Sequence, residues 1–310
     1  MLFSHKHILL KHKISETLIP LIQGDYYLAD CPFHSNIGDI LIWQGELELL
    51  KECNGQLIGY SSLTTFDHPK ISPETVILFH GGGNLGELYR QHIEHLFLLM
   101  RLYPKNRIII FPQTFNYTSP EILKSDIQKL SSHTDLHICS RDKRGFDQLS
   151  RDLEHVYLVP DMAFYIPQSF FEYQPSKNNG SLFLKRLDDE LADNSLAPHC
   201  DHVHDWPTFE HKIFDGIFIA KIINKLSSWN IPFFKNIWKW YAMNIYRTDL
   251  IRIGVKFIKR YDYIYSTRLH GIILSLLCQK RVTAIDNSYG KNLNFIKTWL
   301  DDVDELYLLS

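Results

Sequence analysis

Short apolar runs, each closed by a polar or glycine-bearing turn, recur along this chain. They lie at 26–29, 76–79, 107–111, 136–139, 156–159, 181–184, 261–265 and 282–285. Val76-Ile77-Leu78-Phe79 is apolar at every position, which fits a strand covered on both faces, as in a parallel sheet. Helical spacing follows most of the turns. Apolar residues at 40, 41, 43, 47, 49 and 50 predict a helix over 40–51. Further helices are predicted over 87–103, 119–132, 207–228, 247–260, 271–278 and 291–300. Strand, turn and helix in repeated succession mark an α/β fold.

The stretch 167–180 breaks this rhythm with Pro167, Pro175, Asn178, Asn179 and Gly180, and the pattern restarts at Ser181. A chain of 310 residues is long enough for two domains. We therefore expect two α/β domains, over 1–170 and 171–310, with facing strand ends and a deep cleft between them. The last helix is expected to pack back on the first domain. In open α/β sheets ligands gather outside the carboxyl ends of the strands. His80, Asn84, Gln113, Arg141, Asp142 and Asp161 all fall on that rim.

A net charge of −2 gives no general attraction to nucleic acid or to an anionic surface, so any anion site must be local. The five cysteines are scattered and form no C-x-x-C pair, which favours a reducing compartment. Met1 to Leu10 does not read as a secretory signal. No stretch reaches the ~20 apolar residues of a spanning helix. These features predict a cytoplasmic protein.

Three turns carry chemistry. In Ser266-Thr267-Arg268-Leu269-His270-Gly271 a strand runs into an apolar helix. The helix start offers N–H groups to an anion, Arg268 a planar fork for phosphate or carboxylate, and His270 an imidazole that moves protons near neutral pH. A capping Arg268 and a buried, hydrogen-bonded His270 are equally compatible with those six residues. His80-Gly81-Gly82-Gly83-Asn84-Leu85-Gly86 follows a strand and has more glycines than a turn needs, so the backbone can approach a ligand. It is neither G-x-G-x-x-G nor a P-loop, which excludes the ordinary dinucleotide fingerprint and the NTPases. Ser35-Asn36-Ile37-Gly38-Asp39 opens a helix, where Asn36 and Asp39 fit a cap and a substrate ligand equally well. Arg141 and Asp142 fit a local ion pair and cap slightly better than a binding site.

Two further stretches invite function. His199-Cys200-Asp201-His202-Val203-His204-Asp205 has the residue types of a zinc site but no second ligand pair at fixed spacing. A polar surface loop is the expectation there, with no metal. Phe233 to Tyr241 interleaves aromatic residues with lysines. Core packing, an oligomer contact, a sugar-stacking surface and a peripheral membrane contact through Phe233, Phe234, Trp238 and Trp240 all fit it.

Taken in order, Asn36-Ile37-Gly38-Asp39, His80-Gly81-Gly82-Gly83-Asn84, Ser140-Arg141-Asp142, Val159-Pro160-Asp161, Arg186-x-Asp188-x-Glu190 and Arg268-Leu269-His270-Gly271 resemble the polysaccharide pyruvyl transferase family. The resemblance runs from about residue 36 to 290, and the segment 191–247 matches no pattern of the family. It implies two Rossmann-like domains arranged as in GT-B glycosyltransferases, the first on the acceptor side and the second on the phosphoenolpyruvate side. It also implies transfer of a pyruvyl group from phosphoenolpyruvate to two hydroxyls of a sugar in an exopolysaccharide or other cell-surface precursor, giving a cyclic ketal. The acceptor would be a sugar or lipid-linked oligosaccharide at the inner membrane face.

Carried onto this sequence, the family's donor ligands are Arg268, Leu269 and His270, joined by Arg186 with Lys185 as its competitor. His270 and Arg268 are the expected catalytic residues. The acceptor side is expected at Asn36, Asp39, His80, Gly82, Gly83, Asn84, Arg141 and Asp142. Phosphoenolpyruvate is a co-substrate, and the chemistry requires no cofactor or metal. Two rival readings stand beside this one. A GT-B glycosyltransferase would hold a nucleotide sugar near Asp286, Asn287, Arg186 and Glu190. A non-enzymatic scaffold of polysaccharide assembly would use the 233–241 surface.

Overall fold

The computed structural model describes every residue except 176–179, 187–198, 211–214, 228–230, 287–289 and 310. The chain divides into two compact units. One comprises Lys11–Phe33 and Ile42–Tyr165; the other comprises Met1–Leu10, His34–Leu41 and Ile166–Ser310. We call them the N-terminal and C-terminal units. The division falls inside the first two helices.

In chain order the first elements are α1 (Phe3–Leu18), β1 (Tyr26–Ala29), α2 (Ile37–Leu50), β2 (Leu57–Tyr60), β3 (Val76–Phe79) and β4 (Gly82–Gly86). There follow α3 (Arg90–Leu102), β5 (Ile108–Asn116), α4 (Pro120–Leu130), β6 (Leu136–Ser140), α5 (Lys143–Leu149) and β7 (Val156–Leu158). Seven parallel strands form one sheet in the order β2-β1-β3-β5-β6-β7, with β4 also paired to β5. Ile77, Ile108, Ile110 and Ile138 from the strands meet Ile93, Leu96 and Leu99 of α3 in one buried cluster. Each such side chain contributes about 1.5–3 kcal/mol by leaving water.

The remaining elements are β8 (Ser181–Leu184), β9 (His202–His204), α6 (Pro207–Glu210), α7 (Asp215–Ser227), α8 (Pro232–Tyr241) and α9 (Arg247–Lys259). The chain closes with β10 (Tyr263–Ser266), α10 (Leu269–Leu277), β11 (Arg281–Ile285), α11 (Lys291–Trp299) and β12 (Leu306–Leu309). Five parallel strands make the second sheet, ordered β12-β11-β10-β8-β9. The chain ends are tied within this unit: Lys6 Nζ lies 2.7 Å from Asp302, and Phe3 N–H donates to Glu305 Oε2 at 3.0 Å. The chain is thus an α/β protein with two parallel sheets.

Several local expectations change. The glycine-rich stretch after β3 is not a bare turn: Gly82 to Gly86 pair with β5, and the helix begins at Arg90 instead of 87. Gly82 has φ +127, which a side chain would resist. The stretch read as a polar loop, 199–205, contains the edge strand β9. Ile285 does not end the last strand of the chain, because β12 follows at the opposite edge. The single helix expected over 207–228 is described as α6 and α7. Trp238, weighed both for a contact surface and for the core, is 1 % exposed; it stacks on Tyr241 and meets Tyr246 with a tilted ring.

Candidate functional site

The turn between β10 and α10 is held tightly. Ser266 Oγ accepts the Arg268 N–H at 3.0 Å and donates to the Arg268 carbonyl at 2.9 Å. Gly271 packs so close to Ser266 and Leu184 that an added Cβ would sit 2.3 Å from Ser266 Oγ and 2.5 Å from Leu184 Cδ2. Thr267 links three strand ends. Its N–H donates to Leu184 O at 3.2 Å, its hydroxyl accepts the Arg186 N–H at 2.9 Å, and its carbonyl accepts from Asn292 Nδ2 at 2.9 Å. Arg186 is therefore fixed at its backbone beside Arg268. Lys185 is fixed as well, donating its N–H to His204 O at 2.8 Å.

Arg268 is buried, and its guanidinium is gripped by Asp205. Nε donates to Oδ1, and Nη2 donates to Oδ2 at 2.6 Å. Phe209 lies under the same group, 5.1 Å from Cζ to the ring centroid. Two of the five guanidinium N–H groups thus serve Asp205. The pair fixes the cation's position as a bidentate ion pair does.

Leu269 and His270 begin α10, so His270 sits in its first turn, half-buried, while Leu269 is buried in the core. The imidazole packs on Gly38: an added Cβ there would lie 2.5 Å from Nδ1 and 2.8 Å from Cγ. The Asn-Ile-Gly-Asp and Arg-Leu-His-Gly motifs are therefore neighbours within the C-terminal unit. Asn36 caps α2, accepting the Gly38 N–H on Oδ1 at 3.1 Å, and its Nδ2 donates to Asp39 Oδ2 at 2.8 Å. His34 Nε2 is 3.6 Å from the same Asp39 oxygen. Ile37 packs beneath this turn, 2.8 Å from where a Cβ of Gly254 on α9 would be.

The N-terminal unit gathers the other motif residues at its strand ends. His80 is 1 % exposed and shares a proton with Glu46, Nδ1 to Oε2 at 2.9 Å; Glu46 Oε1 accepts the Gly81 N–H at 2.8 Å. Burial raises the Glu46 pKa, and His80 pulls it back down. Gln113 bridges the glycine stretch, donating to His80 O at 2.8 Å and accepting the Asn84 N–H at 3.2 Å. Gly83 is half-buried within β4.

Asp142 caps α5, accepting the Gly145 N–H at 2.8 Å, and receives the Thr114 hydroxyl at 2.8 Å. Arg141 donates to Asp161 Oδ2 at 2.7 Å and to Thr114 Oγ1 at 2.9 Å.

Asp205, Glu46 and Thr114 are residues that sequence reasoning missed. Each is a nonlocal partner of a motif residue, and Asp205 stood inside the stretch weighed for metal. That stretch disperses in the fold. Asp201 accepts from Ser181, His204 pairs with Glu210 at 2.9 Å, and Asp205 holds Arg268. Among the described residues no group of three or more His, Cys, Asp or Glu is placed to hold a metal. A second missed pair is Asp30 and His92, Oδ2 to Nδ1 at 2.6 Å, at the carboxyl end of β1. Asp30 has φ +60 there, a conformation that Asp tolerates better than most residues.

Asp286, weighed as a nucleotide ligand, accepts the N–H groups of Asn292 and Leu293 at 3.1 and 3.2 Å and so secures α11. Asn287, Asp188 and Glu190 lie outside the described residues.

The polysaccharide pyruvyl transferase family profile matches residues 36–289. The chain is 32% identical to the putative pyruvyl transferase EpsO of Bacillus subtilis, over 98% of this chain and 95% of that protein. It is 25% identical to pyruvyl transferase 1 of Schizosaccharomyces pombe, over 88% and 69%. The crystal structure of a functionally uncharacterised protein from Klebsiella pneumoniae superposes with a TM-score of 0.65 at 20% identity, covering 97% of this chain and 98% of that one, a likeness of fold. The match spans every motif located above, from the cap of α2 to the turn before α10 and beyond it, and on that ground the chain belongs to the polysaccharide pyruvyl transferase family.

Proposed function

We propose that this enzyme transfers the pyruvyl group of phosphoenolpyruvate to two hydroxyls of a sugar in an exopolysaccharide or other cell-surface precursor, at the cytoplasmic face of the membrane. The observation that carries the reading is the β10–α10 turn: a buried Arg268 clamped by Asp205, with a half-buried His270 one turn into the helix beside Gly38. The two parallel sheets support a further expectation, a GT-B-like arrangement of the two units.

The chemistry follows from the substrate. Phosphoenolpyruvate carries a phosphate and a carboxylate, so at least two cationic groups are needed; Arg268 and Arg186 supply them, with the N–H groups at the start of α10. His270 gives a proton to the methylene carbon, which becomes a methyl group, while one sugar oxygen bonds to the neighbouring carbon. The carbon–oxygen bond to phosphate then breaks. The second sugar oxygen takes its place and closes the ring. Two hydroxyl protons are released: one restores His270 and the other leaves on the phosphate. Arg268 and Arg186 stabilise the departing charge. Asn36 and Asp39, beside His270 in the same unit, are placed to orient reacting hydroxyls. Gly82, Gly83, Asn84 and Asp142 shape the acceptor side in this reading, with His80 and Arg141 as its buried supports.

The test is a thermal-shift titration with phosphoenolpyruvate, UDP and GDP side by side. At a hundred times the dissociation constant a ligand adds about 2.7 kcal/mol to the folded state. Phosphoenolpyruvate is expected to raise Tm and the nucleotides to leave it unchanged. A rise with a nucleotide and none with phosphoenolpyruvate would replace this reading with glycosyl transfer.

A further inference from the structure

The segment from 216 to 248 carries no Asp or Glu, but it holds Lys221, Lys225, Lys235, Lys239 and Arg247. The whole chain has 35 acidic and 33 basic residues, so a run of 33 positions with five cations and no acid is a sharp local reversal of charge. Its described residues form α7 after its first residue, Asp215, then α8 and the π-helical turn Ala242–Tyr246 that leads into α9, all in the C-terminal unit.

The two helices pack against each other and leave apolar side chains in water. On α7, Ala220 and Ser227 are buried, whereas Phe218, Ile219 and Ile222 are 59%, 45% and 46% exposed. Positions 218, 219, 221, 222 and 225 share one side of a helix, so Lys221 and Lys225 flank the exposed apolar residues. On α8, Trp238 and Tyr241 face the core, whereas Phe233 and Trp240 are 66% and 56% exposed and lie two turns apart on one stripe. Ile231 and Ile245, at either end, are also exposed.

A helix face bathed only in water normally carries mixed charges. This one carries Phe, Ile and Trp with four lysines around them and a single acid, Asp215, in the first turn of α7. That composition matches a membrane interface: apolar side chains enter the boundary of the acyl region, the indole sits at headgroup level, and lysines extend to lipid phosphates. Each basic residue near an anionic surface adds about 1 kcal/mol of attraction. A second copy of the chain is a poorer occupant, because a two-fold contact through this face would bring like charges together. Among the described residues no helix is long and apolar enough to cross a membrane, so the contact is one of lying on the surface.

We propose that the exposed face of α7 and α8 docks the protein on a bilayer rich in anionic lipid. Docking requires no phosphoenolpyruvate, so the inference stands apart from the transfer reaction. Its consequence is to confine the C-terminal unit to the surface where a lipid-linked sugar would be presented.

Co-sedimentation of the full chain with vesicles decides the matter. Vesicles of phosphatidylcholine with about a third phosphatidylglycerol are expected to bind the protein at least about tenfold more tightly than phosphatidylcholine alone, and binding should weaken as salt screens the charges. The exposed double variant F233S/W240S should lose binding, with its melting temperature unchanged. The variant K221Q/K225Q/K235Q/K239Q should lose the preference for anionic lipid. Equal binding of parent and F233S/W240S would overturn the proposal. So would failure of the parent to bind anionic vesicles, or a concentration-dependent dimer that dissociates in F233S/W240S.

Discussion

His80 and His270 both stand just past the carboxyl end of a strand in a parallel sheet, yet the fold treats them in opposite ways. His80 is sealed in the N-terminal unit against Glu46, whose other oxygen holds the Gly81 backbone; histidine and carboxylate are 1% and 0% exposed. His270 is half-buried in the first turn of α10, and the surface against its ring is a glycine. One imidazole is a structural link between a helix and a glycine-rich strand. The other is packed on α2 and stays partly exposed in the first turn of α10. The same contrast runs through the buried Arg–Asp pairs. Arg141 joins Asp161 at the end of one sheet, and Arg268 joins Asp205 at the end of the other. Residue type alone therefore does not separate scaffold from chemistry; exposure and the identity of the partner do.

The largest effect that sharpens this contrast is expected at the histidines. His270→Ala should lower phosphoenolpyruvate-dependent phosphate release by about 10²–10⁴-fold, the usual worth of a positioned acid or base, with ligand binding largely kept. His80→Ala should act on stability, by about 3–5 kcal/mol in denaturant unfolding, because it leaves the Glu46 carboxyl buried without its partner. If His80→Ala kept full stability and abolished turnover, the two histidines would have to be read alike.

The ion pairs come next. Arg141→Ala and Arg268→Ala each leave a buried carboxylate and should each cost about 3–5 kcal/mol. Only the second should abolish the Tm rise caused by phosphoenolpyruvate. Asp205→Asn tests the positioning role directly: the charge on Arg268 remains but its anchor weakens. We expect the dissociation constant for phosphoenolpyruvate to rise by about tenfold or more, the worth of a charge-assisted hydrogen bond, whereas Asp161→Asn leaves it within about twofold. Equal effects of the two Asn variants would assign Asp205 to the scaffold.

A smaller effect is expected at Gly38. Alanine there forces the His270 ring to move, since its Cβ would lie 2.5 Å from Nδ1. A displacement of that order costs up to about 10²-fold in rate through lost alignment. The loss should fall on kcat, and because Cγ and Cβ of His270 would lie only 2.8 and 3.0 Å away the melting temperature should fall as well. An unimpaired Gly38→Ala would mean that the ring's position against α2 is not set for catalysis.

How much of this was written locally in the sequence depends on burial. Strands covered on both faces, such as β3 and β5, are apolar at successive positions and are legible as such. The missed strands lack that property. β2 and β12 are sheet edges with partly exposed side chains, β9 is an edge of sequence His-Val-His, and β4 is mostly glycine. Edge strands owe their place to the ladder beside them, which no local pattern records. The site divides in the same way. Asn36, Arg268 and His270 stand in turns that chain order makes visible. Asp205 lies 63 positions from Arg268, and Glu46 lies 34 from His80, so only folding brings them together. The neighbourhood of Gly38 and His270 is of this nonlocal kind too.

The smallest effect concerns acid, and it again separates the units. His95 of α3 is buried against Phe66 and Phe79, and burial lowers its pKa below the ordinary 6.5, with Asp30 opposing and His92 and His68 adding to the shift. His137 in the same unit is lowered for the same first reason, with Asp135 opposing. A histidine that binds its proton less readily when folded gives stability that is full above the unfolded pKa and lost as pH falls through the folded one. Glu46 acts with the opposite sign. Its raised pKa makes the folded state take up protons, so its contribution is full below the ordinary carboxylate value of 4.5 and lost as pH rises through the folded pKa. Below about pH 6.5 the N-terminal unit should therefore weaken by at most about 1.4 kcal/mol per pH unit for each titrating histidine. His95→Leu should flatten that slope in urea unfolding between pH 7 and 5. With one opposing histidine removed, the gain from protonating Glu46 should emerge at the acid end of the same curve. A slope unchanged by His95→Leu would place the acid sensitivity at His137, where the partner Asp135 is on the same strand-and-turn segment and His137→Phe would be the variant to flatten it.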